Sequence, residues 1–189
     1  MKLATPEGFA ENPELVWEWY NERRENIRAA QPNAAHKAIV DLARSAREFL
    51  LVTQNVDDLH ARAGTPREKM VQIHGDIFET RCSRCDFKAN LERCERCGAL
   101  MRPGVVWFGE MLDPRKIDIV EEFLSRGDVD LALVVGTTAG FGYITDWATR
   151  ASRVLIEINP DETPLSEMAT QTIREPAGIA LPRIVDSLR

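Results

Sequence analysis

The clearest chemistry in this chain belongs to four cysteines within sixteen consecutive residues: Cys82, Cys85, Cys94 and Cys97. They form two Cys-x-x-Cys pairs separated by eight residues. Each pair can make a tight turn, and two such turns supply the four thiolates of a tetrahedral Zn²⁺ site. Four protein ligands leave no position for water, so the spacing predicts a structural zinc ion. The alternative is four free or disulfide-linked thiols, which the paired spacing disfavours.

Charged residues surround the cysteines and raise a second possibility. The basic ones are Arg81, Arg84, Lys88, Arg93, Arg96 and Arg102. A zinc ribbon that contacts nucleic acid is therefore an alternative, although a solvated charged loop is the interpretation that we favour. The net charge of the whole chain is -6, so no overall basic field attracts nucleic acid or a membrane.

Polar residues follow three apolar runs that read as buried strands. The first run, 49–53, leads into 53–58, which holds amides and carboxylates. The second, 130–135, leads into small residues and hydroxyls at 136–142, and Asn159 follows the third run. Ligands of parallel sheets bind at the carboxyl ends of strands, so these positions are candidate cofactor contacts. Helix capping by Asn55 or Asp57 is the alternative at the first site.

His74 is the best general-base candidate among the three histidines. His36 and His60 fall within predicted helices, where a structural role is expected. His74 follows a short predicted strand at 70–73 and precedes Gly75, which leaves backbone room beside the ring. Imidazole titrates near working pH, as a general base requires.

Helical and strand-like segments alternate along most of the 189 residues. Asn12 and Pro13 begin a helix that ends near residue 28, and further helices are predicted at 34–47, 57–63, 114–125, 143–151 and 179–188. Two more strands are predicted at 153–158 and 171–174. This alternation indicates an α/β fold with a doubly wound parallel sheet. Residues 1–77 and 105–189 would form the main domain, and 78–104 an inserted zinc-binding module.

Several motifs together resemble the sirtuins, which are NAD-dependent protein-lysine deacylases. Besides the two cysteine pairs, the likeness is carried by Thr53-Gln54-Asn55-Val56-Asp57, His74-Gly75, Arg102 to Glu110, Gly136-Thr137-Thr138 and Ile158-Asn159. These motifs keep the family's order over nearly the whole chain. The resemblance implies a Rossmann-like domain that carries a small zinc-binding module.

The resemblance also implies roles for individual residues. His74 would be the general base that activates a ribose hydroxyl. The residues implied to bind NAD are Gln54, Asn55, Asp57, Gly136, Thr137, Thr138, Asn159 and Ala177. The residues implied to pair with the substrate peptide, as a strand added to an edge, are Val106, Phe108, Gly109 and Glu110.

Tyr20 and Arg23 lie three residues apart and so share a helix face. A Tyr-x-x-Arg pair after Ala4-Thr5-Pro6 resembles the sirtuin branch that removes acidic acyl groups such as succinyl and malonyl. An arginine can bind a carboxylate through two hydrogen bonds, which agrees with that role. The alternative is a core tyrosine beside a surface arginine.

The sequence departs from the family pattern in two places. The Gly-Ala-Gly-x-Ser loop and its strand, which normally open the sirtuin fold and cover the NAD diphosphate, are absent. We expect a fragment of a longer protein or a gene read from a late start codon, rather than a degenerate relative that keeps only the peptide site. After Gly136-Thr137-Thr138, the common Val-x-Pro pattern is replaced by residues 141–144.

The leading prediction is thus an NAD-dependent deacylase that acts on acyl-lysine proteins or peptides and releases nicotinamide and O-acyl-ADP-ribose, with activity impaired if the missing loop is needed. A non-catalytic zinc-containing module that binds peptides or nucleic acid is the alternative. With no signal-peptide or transmembrane run and with clustered cysteines, we expect a cytoplasmic protein, and we expect a monomer.

Overall fold

A computed structural model describes residues 3–127 and 129–188. Its first two elements are helices α1 (Pro6–Glu11) and α2 (Pro13–Ala29). The Thr5 hydroxyl accepts the Gly8 amide at 3.1 Å, and the Asn12 side chain accepts the Leu15 amide at 3.0 Å. Each cap satisfies an amide that the first helical turn leaves without a partner. Each helix also starts with a proline, which has no backbone N–H and so needs no acceptor there.

Two strand pairs follow in the same compact part of the chain. Strands β1 (Leu51–Thr53) and β2 (Met70–Gln72) are parallel. Strands β3 (Gly75–Cys82) and β4 (Met101–Val105) are antiparallel, and the loop between them holds the other three cysteines. The buried apolar cluster that joins α1 and α2 to β3 and β4 consists of Phe9, Val16, Tyr20, Ile77, Val105 and Trp107.

A second sheet holds β5 (Ala132–Val135), β6 (Leu155–Ile158) and β7 (Gln171–Ile173), all parallel, in the order β5–β6–β7. The helices in the rest of the chain are α3 (Ala34–Ser45), α4 (Leu59–Ala63), α5 (Pro114–Ser125), α6 (Gly142–Ala151) and α7 (Ala177–Ser187), with a 3₁₀ turn at Arg67–Lys69. Helices α3 and α7 pack together over Ile158, which is fully buried.

The described residues divide into two compact units. The first draws on Met1–Gln31, Leu51–Leu59 and Met70–Ile117, and the second on Pro32–Leu50, His60–Lys69 and Asp118–Arg189. The predicted zinc-binding module, 78–104, lies within the first unit. The boundaries proposed at 77 and 105 from the sequence stay a prediction.

The α/β class is confirmed, and every predicted helix and parallel strand is present with ends that differ by a few residues. The structure adds α1 and the β3–β4 pair, which the sequence analysis did not identify. Pro103 and Gly104 in β4 argue against a strand by composition, and β3 lies in a stretch rich in charge. In the described chain the parallel strands form two sheets rather than one. No helix among the described residues has the length and apolar character needed to cross a bilayer.

Candidate functional site

The four cysteine thiols converge on one point. All four sulfurs lie within 4.8 Å of one another, with Cys82 Sγ 3.5 Å from Cys97 Sγ and Cys85 Sγ 3.6 Å from Cys94 Sγ. A zinc ion with four bonds of about 2.3 Å to sulfur would need sulfur–sulfur distances of about 3.8 Å. The geometry therefore fits a tetrahedral zinc site with no open position.

Backbone amides hold the thiols in place. The amides of Arg84 and Cys85 donate to Cys82 Sγ at 3.3 and 3.4 Å. Burial raises the pKa of Cys82, but these amides and the neighbouring thiols outweigh it and lower the pKa to about 6. A thiolate is the form that binds metal. All four cysteines are free thiols, which leaves them available as ligands.

The charge around the cysteines is largely paired within the module. Lys88 bonds Glu79 at 2.7 Å, and Arg96 bonds Asp86 at 3.0 Å. Arg93 donates to a backbone carbonyl, and Arg81 and Arg102 both contact Glu110. Most of the basic side chains that suggested a nucleic-acid ribbon thus have acidic or carbonyl partners in the chain itself.

His74 lies between β2 and β3 with its ring half buried. Burial lowers the pKa of His74, a hydrogen bond from the ring to the Gln54 backbone opposes this, and the nearby Lys116 ammonium lowers it further. The net direction is downward from 6.5, so the imidazole is neutral at pH 7. One ring nitrogen donates its proton to Gln54, which leaves the other as a proton acceptor.

The polar residues after β1 cap the turn into α4. The Thr53 hydroxyl accepts the Asn55 amide at 3.1 Å, and the Asp57 carboxylate accepts the Leu59 amide at 3.0 Å. Gln72 holds the Asp57 carbonyl at 2.7 Å. The capping alternative is therefore realised for Asp57, and the same bonds fix the loop beside His74.

In the β5–β6–β7 sheet, the structure brings two predicted cofactor positions, Thr137 and Asn159, together. Asn159 Nδ2 donates to the Thr137 carbonyl at 2.8 Å, which joins the loops that follow β5 and β6. Gly136 has φ +60°, and nothing lies within 4 Å of the position that a Cβ would take. Thr138 continues this loop, and Ala177 begins α7. Gly136 to Thr138 and Asn159 thus follow the carboxyl ends of the parallel strands β5 and β6.

The 106–110 segment follows β4 and is partly fixed by the chain's own hydrogen bonds. The Val106 amide donates to the His74 carbonyl at 2.7 Å, and the amides of Trp107, Phe108 and Glu110 also donate within the chain. Gly109 has φ +85°, and the Phe108 side chain is 67% exposed. Because these amides are already bonded, a peptide that pairs with this segment as a strand would have to bond mainly the carbonyl groups of the segment.

Tyr20 and Arg23 have different surroundings. Tyr20 is buried, and its hydroxyl accepts the Trp107 indole N–H at 2.8 Å. Burial raises the pKa of Tyr20, so the hydroxyl is protonated. Arg23 is exposed and its guanidinium lies 4.8 Å from the centre of the Trp19 ring.

Sequence reasoning missed two buried charge clusters. One joins Arg81, Arg102 and Glu110, and the other joins Glu157 to Arg174. Both pairings depend on tertiary packing, so residue types and spacing gave no signal for them.

An α/β fold with a four-cysteine metal centre and polar strand ends defines a nucleotide-binding protein that carries a structural metal module. Residues 1–141 match the model of the Sir2 family, and the chain belongs to that family. It is 40% identical to NAD-dependent protein deacylase 1 of Archaeoglobus fulgidus over all of this chain and 80% of that protein. It is 41% identical to the NAD-dependent protein deacylase of Aquifex aeolicus over all of this chain and 82% of that protein.

Solved structures of Sir2 proteins have the same fold as this chain. A Sir2 homolog in complex with NAD superposes with a TM-score of 0.88 at 40% identity, covering 99% of this chain and 76% of that one. A structure of Sir2 bound to acetylated peptide gives a TM-score of 0.84 at 25% identity, covering 98% of this chain and 82% of that one. The Rossmann-like sirtuin fold is therefore confirmed.

Proposed function

We propose that this chain is an NAD-dependent protein-lysine deacylase, which transfers the acyl group of an acyl-lysine to ADP-ribose and releases nicotinamide. The observation that carries the proposal is the half-buried His74 ring, which bonds the Gln54 backbone beside the predicted nicotinamide and ribose contacts. Relatives at about 40% identity are named for this activity, and a Sir2 homolog of the same fold is solved with NAD.

His74 is the general base in this proposal. When bound, NAD supplies a ribose carbon that the acyl oxygen attacks as nicotinamide leaves. His74 then accepts a proton from a ribose hydroxyl through the ring nitrogen that does not bond Gln54. Burial favours the neutral ring, so the base is ready at neutral pH without prior loss of a proton.

The residues proposed to contact NAD fall into two groups. In the first unit, Gln54, Asn55 and Asp57 present amides and a carboxylate that suit an amide or ribose partner. In the second, Gly136 to Thr138 and Asn159 offer a loop with open space and hydroxyls, with Ala177 at the start of α7. Both sets follow the carboxyl ends of parallel strands, where such sheets bind nucleotides.

The substrate would be an acyl-lysine in a protein or peptide. We place its backbone along the segment from Val106 to Glu110, where Phe108 offers an exposed ring and Gly109 lies at the turn. The zinc ion, held by the four cysteines, would fix the module that precedes this segment in the chain and take no part in the reaction. Free thiol ligands suit a reducing compartment, and the cytoplasm stays our prediction for the location. A monomer stays our prediction for the oligomeric state.

We further propose a preference for acidic acyl groups. Arg23 is exposed on the same face of α2 as the buried Tyr20, and the positive charge of Arg23 lowers the pKa of that hydroxyl. The two residues are three apart in α2 and so lie on one face of the helix. A neutral tyrosine hydroxyl and a guanidinium can together bind the carboxylate of a succinyl or malonyl group.

Deacylation of matched succinyl-lysine and acetyl-lysine peptides tests both proposals. We expect Arg23→Gln to lower kcat/KM for the succinyl peptide about tenfold or more, because a charge-assisted hydrogen bond is worth about 1.5–3 kcal/mol. The acetyl peptide should change by less than about threefold, since it has no carboxylate to lose. Arg28→Gln, another exposed arginine of α2, is the control.

Equal losses on the two peptides would remove the acidic-acyl preference. Absence of NAD-dependent deacylation of either peptide by folded, zinc-loaded protein would remove the deacylase proposal itself.

A further inference from the structure

A buried ion pair lies at the base of the 106–110 segment. The Arg102 side chain is only 4% exposed, and its two terminal nitrogens bond the two oxygens of Glu110 at 2.5 and 3.0 Å. This is the two-pronged arrangement that gives arginine–carboxylate pairs their geometric specificity.

The Glu110 carboxylate is bound by the chain's own donors. Its Oε2 also accepts Arg81 Nη2 at 3.1 Å and the Trp107 amide at 2.8 Å. With the two bonds from Arg102, Oε2 accepts three hydrogen bonds and Oε1 accepts one. A direct bond from Oε2 to substrate would require one of these partners to leave.

The same arginines hold the start of the segment. Arg102 Nη2 donates to the Val105 carbonyl at 2.8 Å, and Arg81 Nη2 approaches the same carbonyl at 3.3 Å. The Arg102 guanidinium lies 3.2 Å from the centre of the Trp107 ring. The last strand residue, the tryptophan and the carboxylate that closes the segment are therefore tied to one cluster.

Backbone hydrogen bonds from Val106, Phe108 and Glu110 also restrain the segment, but its tip has little apolar packing. Phe108 is 67% exposed and Met111 is 90% exposed, so apolar packing does little to fix the tip. Gly109, with φ +85°, makes the turn. A buried charge pair is weak evidence for stability, because apolar residues of the same volume often stabilise a protein equally well. What such a pair can supply here is one defined conformation.

We propose that Arg81, Arg102 and Glu110 form a positioning cluster that holds the 106–110 segment in the conformation that binds the acyl-lysine peptide. This inference rests on the proposed function for the identity of the peptide. Glu110 then acts through Trp107 and the two arginines and does not touch the substrate. Pre-organisation lowers the cost of ordering a binding segment, so the cluster should act on peptide affinity.

The cluster also reaches the proposed acyl pocket. The Trp107 ring packs against the Arg102 guanidinium, and its indole N–H donates to Tyr20 Oη at 2.8 Å. Burial raises the pKa of Tyr20, and the positive charges of Arg102 and Arg23 both oppose that rise. The ring that orients Tyr20 is thus itself set by the Arg102–Glu110 pair.

The decisive variant is Glu110→Gln, which keeps the shape of the side chain and removes its charge. We expect the KM for an acetyl-lysine peptide at saturating NAD to rise about tenfold, because charge-assisted hydrogen bonds that order the segment are lost. The value of kcat should change by less than about threefold, since His74 is untouched. The control is Glu79→Gln, which removes an exposed pair with Lys88 from β3 of the same module.

Direct binding separates this inference from the proposed function. Fluorescence anisotropy with a labelled acetyl-lysine peptide should show the same tenfold loss for Glu110→Gln, with zinc content and melting temperature close to those of the wild type. If the wild type shows no turnover but Glu110→Gln still binds the peptide more weakly than the wild type does, the cluster is supported while the deacylase proposal is removed. Wild-type affinity in Glu110→Gln, or an equal loss in Glu79→Gln, would overturn the inference.

A second variant covers the case in which Glu110→Gln does not fold. Arg81 is 33% exposed at its side chain, and Arg81→Gln leaves the Arg102–Glu110 pair in place. We expect peptide binding about threefold weaker with zinc retained, because one of four donors to the carboxylate is weakened. Unchanged peptide affinity in zinc-loaded Arg81→Gln would overturn the inference.

Discussion

Glu157 is a buried carboxylate that bonds three side chains in the region after β6. It lies in β6, is 1% exposed, and accepts hydrogen bonds from Thr163, from Ser166 at 2.7 Å and from Arg174 at 2.7 Å. Burial raises the pKa of Glu157, but its three partners outweigh burial and lower it. The ionised side chain therefore stabilises the loop that follows β6, where Asn159 lies.

We expect Glu157→Ala to lower the free energy of unfolding by about 3–5 kcal/mol, because it leaves the Arg174 guanidinium without its buried partner. Arg183→Ala is the matched control, since it removes an exposed pair with Glu175 and should cost less than about 1 kcal/mol. Urea denaturation at pH 7 measures both. Similar losses for the two variants would contradict the assignment of Glu157 to a buried network.

The sign of the pH effect follows from the lowered pKa of Glu157. The stabilisation from this carboxylate is complete above its unfolded value near 4.5 and is lost as pH falls through the lower folded value. The wild type should therefore lose more stability than Glu157→Ala between pH 5 and strongly acidic conditions. The same denaturation series repeated below pH 5 checks this.

Among single residues, the zinc ligands could be predicted from the sequence, whereas the buried ion pairs could not. The zinc ligands could be predicted because two tight Cys-x-x-Cys turns define a local geometry that needs little of the fold. Arg102 was noted only as part of a motif and of a charged surface. Its pairing with Glu110 could not be predicted, because burial and side-chain direction in β4 decide it.

At the scale of elements, the β3–β4 hairpin is the least expected feature and the one on which the proposed substrate segment depends. Gly75 has φ +90°, and a Cβ there would lie 2.2 Å from the Gly104 carbonyl oxygen. The backbones of the two strands thus approach too closely for any side chain at this point. Helix α2, in contrast, was predictable because Asn12 and Pro13 mark its start by local chemistry alone.

Gly75→Ala should lower the free energy of unfolding by more than about 2 kcal/mol, because it combines a disfavoured φ with a clash against backbone. Gly178→Ala, near the start of α7 with open space around it, should change stability by less than about 1 kcal/mol. Thermal melting of zinc-loaded protein compares them. Equal stability of Gly75→Ala and wild type would show that β3 and β4 are farther apart than described.

At the scale of the whole molecule, the order of motifs along the chain is what made family and fold predictable. Each motif taken singly has a structural alternative, as the capping bond of Asp57 shows. The ordered set is matched by relatives at about 40% identity and by a fold with a TM-score of 0.88. The division of the parallel strands into two sheets could not be predicted, because local patterns specify strands but not their partners.

The account of the whole molecule depends on His74 acting on NAD. The most direct test is release of nicotinamide from NAD in the presence of a succinyl-lysine peptide, with an unacylated peptide as the control. We predict release that needs the acyl group, that falls about 100-fold or more in His74→Ala, and that declines only below the ordinary imidazole pKa of 6.5. Release that is equal in His74→Ala, or no release from folded and zinc-loaded wild-type protein, would contradict the account.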